Sequence, residues 1–147
     1  VPVRSGQVVF EEGKLIGGKL EIDMANLTCN DIKDAKYNEK LVRHLKSDDF
    51  FSTAKFPVAT FDMAKVTGGD KGVYEVEANV TIKGITNPVK FFMTVTSEGK
   101  SYVGAAKLTL DRTLWNVRFR SGKFAKDLGD KLIHDDFLID FRIVTSK

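Results

Sequence analysis

Apolar and polar residues alternate with a period of two along much of the chain. In Val89–Thr96, Val89, Phe91, Met93 and Val95 interleave with Lys90, Phe92, Thr94 and Thr96. Phe137–Val144 sets Phe137, Ile139, Phe141 and Ile143 against Leu138, Asp140 and Arg142. Val73–Ile82 places Tyr74, Val76, Ala78, Val80 and Ile82 opposite Glu75, Glu77, Asn79 and Thr81. Leu15–Met24 aligns Ile16, Leu20, Ile22 and Met24 against Lys19, Glu21 and Asp23, and Ala59–Met63 and Ala106–Leu110 repeat the pattern over shorter runs. Such alternation predicts antiparallel strands with one wet face and one buried face.

Turn residues fall between these runs. Gly13, Thr67–Gly72, Gly84 with Asn87-Pro88, and Ser97-Glu98-Gly99 each break a periodic segment. The short joints suit hairpins. Asn38–Lys46 departs from the pattern: Leu41, Val42 and Leu45 recur at helical intervals, which predicts a helix with Asn38 as its N-cap. A tight turn at Ser47–Phe51 follows, where Ser47 ahead of Asp48 and Asp49 resembles the capped start of a short helical turn. No internal repeat or linker divides the chain, so residues 1–147 read as a single domain. A meander of six or more strands must curl into a barrel or fold into a sandwich to bury its apolar face. The pattern alone leaves both open.

Composition narrows the class. The chain has 147 residues, 42% hydrophobic and 29% charged, which is a globular balance. Its longest stretches free of Asp, Glu, Lys and Arg, Met24–Asn30 and Phe91–Ser97, are seven residues each. A bilayer-spanning helix needs about 20 apolar residues and is excluded. The net charge is +3, and acids alternate with bases over most of the length. The one dense basic segment, Arg112–Lys126, lacks the interleaved aromatics, beyond Trp115 and Phe119, that a nucleic-acid surface uses for stacking. No nucleic-acid partner is expected. Cys29 stands alone and, with His44 and His134, is too little for a zinc site, so no metal is expected. The opening Val-Pro-Val-Arg carries no leader signature, which leaves the working compartment undetermined.

His44–Phe61, reading HLKSDDFFSTAKFPVATF, together with Val80–Val89, reading VTIKGITNPV, closely resembles the YceI-like family of bacterial lipocalin-like, polyisoprenoid-binding proteins. Asp111-Arg112-Thr113 and the closing Asp135-Asp136-Phe137 with its strand resemble it too. The resemblance implies an all-β, antiparallel lipocalin-like barrel of about eight strands, with a short helix and a helical turn over one end. It implies an exported, periplasmic protein that holds an isoprenoid chain, often that of a quinone, in an apolar tunnel. It carries no catalytic residues. Two departures stand out. The family usually opens with a further strand before the hairpin that starts here near Val3, and its loss would leave an unpaired edge. Asn116 follows Trp115 where glycine is common, and Asn is among the residues that tolerate positive φ.

Phe61, Met63, Val76, Val80, Phe91, Met93, Leu108, Leu110, Trp115, Phe137 and Phe141 are the candidate ligand-binding set. By composition they fit a packed core as well as a tunnel lining, although flexible Met suits variable apolar partners. The resemblance favours a continuous tunnel. Phe50, Phe51 and Phe56 beside Pro57 read as packing that locks the helix onto the barrel end. His44 reads as a structural hydrogen-bonding group and His134 as half of a surface ion pair with Asp135 or Asp136. Arg112 reads as an ion pair with Asp111 or a neighbouring acid, with a head-group contact as the other option. Gly68, Gly69 and Gly72 lack P-loop spacing and read as hairpin punctuation.

The expected function is non-catalytic binding, transport or storage of a long-chain isoprenoid. The alternative is an enzyme acting on an amphipathic lipid in the same cavity. Expected partners are an isoprenoid or other amphipathic lipid, with room for a homodimer. No cofactor is expected beyond a bound isoprenoid or quinone-type lipid.

Overall fold

The period-two segments become seven antiparallel strands in a computed structural model, which describes residues 1–146. They are β1 (Val3–Glu11), β2 (Lys14–Asp23), β3 (Val58–Gly68), β4 (Val73–Ile82), β5 (Ile85–Glu98), β6 (Ser101–Asp111) and β7 (Asp136–Ser146), paired in chain order. Helix α1 (Ala35–Lys46) lies between β2 and β3. Short 3-10 turns at Asp70–Gly72, Arg112–Trp115 and Gly129–Lys131 complete the elements. The sheet curls far enough that Phe61 of β3 faces Phe141 of β7 with ring centres 6.3 Å apart. Its outer strands, β1 and β7, are not paired with each other, so a seam runs between them. The all-β lipocalin-like architecture expected from the sequence is present, built from seven strands.

The concave face carries the core. Val76, Ala78 and Val80 of β4 are fully buried, and Phe61, Met63, Phe91, Met93, Leu108 and Leu110 are nearly so. Phe92, one residue out of phase, is 67% exposed. Gly104 of β6 makes room for this packing: a Cβ there would clash with the Met93 methyl. The long connections 24–57 and 112–135 gather at one end, with the Lys83-Gly84 turn. There Lys83 Nζ donates to the Asp48 and Asn116 carbonyls.

Several local expectations are corrected. The helix starts one turn earlier than predicted, because Asp34 rather than Asn38 is the N-cap; its carboxylate accepts from the amides of Lys36 and Tyr37. Asn38 lies inside α1 and donates to the Cys29 and Ile32 carbonyls. Asn87-Pro88 does not form a turn but lies within β5. Pro88 is tolerated because β5 pairs with β6 only from Thr94 to Glu98, leaving its other half unpaired on that side. Ile16 faces outward and Leu15 inward, since a register shift between Val9 and Phe10 of β1 skips Ile16 and reverses the parity of β2. Asn116 does adopt positive φ, at 60°.

Candidate functional site

The eleven predicted site residues share one apolar cluster. Nine are buried, and Phe137 and Phe141 pack against them from β7. Trp115 sits at the end of the 3-10 turn rather than on a strand. It is 1% exposed, and its indole Nε1 donates to the Val80 carbonyl at 3.0 Å, which ties the turn to β4. Phe141 stands between Phe61 and Phe91, meeting the latter edge-on at 5.9 Å.

Phe61, Phe91 and Phe141 pack together across the inward face, where the sequence predicts a continuous tunnel. A cavity of about 10 Å³ near Leu15, Met93 and Tyr102 remains, room for a single water. A larger space lies at the seam. A groove of about 410 Å³ lies between β1 and β7, lined by Val3, Gly6, Val8, Leu20, Ile143 and their neighbours. At the rim away from the helix, Phe10 of β1 stacks on Tyr102 of β6 at 4.1 Å. Sequence reasoning missed Val8, Leu20 and Ile143 as seam residues. Ile143 was visible in the β7 alternation, whereas a β1–β7 edge leaves no local sequence signal.

The helical end is held by Arg112. Its side chain is almost fully buried, and its guanidinium donates to the carbonyls of Val117, Phe119, Ile133 and His134 at 2.8–3.1 Å. Asp135 supplies the compensating charge at 3.8 Å, and its Oδ1 has no hydrogen-bond partner among the described residues. Four carbonyls from two loop limbs thus converge on one planar fork, a geometry that suits Arg and not Lys. This is the expected structural ion pair, with Asp135 rather than Asp111 as partner, and those donors are taken up within the protein.

Asp111 instead binds Lys123 and Thr113. The Lys123 hydrogen bond, with Thr113, holds the Asp111 carboxyl below the usual carboxylate range, and the Lys123 ammonium is raised by Asp111 in turn. His44 Nε2 meets Asp49 Oδ2 at 2.8 Å while its ring packs edge-on against Phe50 and Phe119. His44 is therefore part of the packing, with Phe50 buried and Phe51 packed against the core. His134 is corrected: among the described residues its ring joins no ion pair, and its contribution is the backbone carbonyl that Arg112 grips. Among the described residues, no three His, Cys, Asp or Glu are grouped to hold a metal ion.

A curled antiparallel meander with an apolar concave face and a helix over one end defines a lipocalin-like binding fold. The family model of the YceI-like domain matches residues 2–145, and the chain belongs to that family. A UPF0312 protein of Photorhabdus laumondii is 30% identical over 145 residues, spanning 97% of this chain and 70% of its own. One from Shewanella denitrificans is 30% identical over 113 residues, spanning 71% of this chain and 56% of its own. The chain thus spans little more than half the length of one curated relative. Among solved structures, BcnA of Burkholderia cenocepacia has a TM-score of 0.75 at 26% identity, over 97% of this chain and 83% of that one. The YceI protein of Campylobacter jejuni has a TM-score of 0.74 at 16% identity, over 99% and 83%.

Proposed function

We propose that the chain binds a long-chain isoprenoid, or a lipid with such a tail, on its concave face and carries or stores it without chemical change, in the periplasm. The observation that supports this is the continuity of the apolar cluster with the seam groove. β1 and β7 share no ladder hydrogen bonds, so parting them leaves the strand pairings intact, while the Phe10–Tyr102 stack bridges β1 to β6. Phe141, on the β7 side, would move with its strand and free the space between Phe61 and Phe91. A carrier needs that kind of yielding wall.

The inward strand positions, as described, offer no histidine or carboxylate. The Tyr74 hydroxyl accepts from the Leu15 amide, and Arg112 is committed to carbonyls. These features favour binding over catalysis. The same open edges would let a second copy pair along β1 or β7 at high concentration, which is how the expected homodimer would form. The deciding experiment is native mass spectrometry of protein purified from its own host, with extraction and identification of retained lipid. A polyprenyl-containing adduct is expected. Recovery of lipid-free protein, still lipid-free after incubation with polyprenol, overturns the reading.

A further inference from the structure

The net charge of the molecule is concentrated in one place. Residues 114–134 contain five cations, Arg118, Arg120, Lys123, Lys126 and Lys131, against two acids, Asp127 and Asp130. That balance of +3 equals the charge of the entire chain, so the remainder is neutral. Lys123 is paired with Asp111 and Asp135. Among the described residues the other four make no ion pair.

The same segment exposes large apolar side chains. Leu114 is 55%, Phe124 51% and Leu132 45% exposed. Its two limbs run together: the Ile133 amide donates to the Arg120 carbonyl at 2.9 Å, and Leu132 lies over Gly122. Arg118 covers the Phe124 ring at 4.2 Å, and Arg120 lies 5.0 Å from the Phe119 ring. Cations thus sit directly beside exposed apolar tips on one loop pair at the helical end.

We infer that this loop pair docks the protein on an anionic phospholipid bilayer. Arg and Lys side chains are drawn to an anionic surface, and neighbouring aromatic and aliphatic tips enter the interfacial layer. Single-stranded nucleic acid fits less well, because base stacking needs open ring faces and Arg118 occupies one face of Phe124. Docking would bring the barrel end to a lipid reservoir. The inference adds to the carrier reading but stands on different residues.

The test is co-sedimentation of the whole chain with vesicles of phosphatidylcholine alone and of phosphatidylcholine mixed with phosphatidylglycerol. Binding is expected to the mixed vesicles only and to weaken with added salt. The triple variant Arg120→Gln, Lys126→Gln, Lys131→Gln should lose about fivefold per cation removed. Phe124→Ser should also bind more weakly. The control triple Lys14→Gln, Lys71→Gln, Lys100→Gln, at the opposite rim, should bind like the parent chain. All these positions are exposed, and circular dichroism verifies folding. Equal loss in both triples overturns the inference, since net charge alone would then govern. Absence of binding to anionic vesicles, or tighter binding to single-stranded oligonucleotide, also overturns it. Vesicle docking without polyprenol uptake would sink the carrier reading alone; uptake from detergent without docking would sink this inference alone.

Discussion

Arg112 illustrates how much one side chain holds at this end of the molecule. The segments 117–119 and 133–135 have few backbone bonds to each other, and the guanidinium supplies what a sheet ladder would. Arg112→Ala would strand four carbonyls and leave Asp135 with only the more distant, exposed Lys123 as counter-charge. Removing one partner of a buried pair costs about 3–5 kcal/mol, and that loss is expected here. Arg112→Lys keeps the charge but offers no planar fork, so it should recover less than half of the loss. Urea unfolding at constant slope measures both. A lysine variant as stable as the parent chain would show that charge rather than fork geometry matters. The pairing of Arg112 with a nearby acid was legible in the sequence. Its four carbonyl acceptors were not, because they depend on two loops meeting in space.

At the scale of elements, strict alternation in β4, β5 and β7 told inside from outside correctly. Phe91 and Met93 point inward while Phe92 and Leu138 are exposed. The reading failed where a second signal competed. Asp34 and Asn38 are both good caps one turn apart, and only packing around Cys29 and Ile32 chooses between them. Asn87-Pro88 looked like a turn because the splayed β5–β6 fork that admits proline is a tertiary feature. β1 shows little alternation because most of its residues are exposed. The register of β5 has a direct check. Phe91→Asp buries an unpaired carboxylate and removes a core ring, and ring loss alone costs about 3–5 kcal/mol. Phe92→Asp should cost less than about 1 kcal/mol. A larger loss for Phe92→Asp than for Phe91→Asp would place the strand one residue out of register.

At the scale of the whole molecule, the candidate site was legible as a list of residues but not as a space. Period-two patterning says which side chains share a face, whereas the distance across the barrel depends on how far the sheet curls. That curl brings Phe141 against Phe61 and Phe91, so in the proposed carrier a lipid tail would displace side chains as the seam opens. The opening cost is the same for any tail that enters, and each further methylene then adds its own transfer free energy. Affinity should therefore climb with tail length once the seam has opened. Shortening an isoprenoid by one unit removes five carbons. At about 0.8 kcal/mol per buried CH₂, this should weaken binding by more than tenfold, until the tail outgrows the space available. Changing the head group at constant tail should matter less, because Arg112 is already satisfied internally. Competition titrations with a ladder of polyprenols and matched polyprenyl phosphates separate the two contributions. Affinities that follow the head group and ignore the tail would mean that the concave face does not bind the lipid, and would return the enzyme alternative to first place.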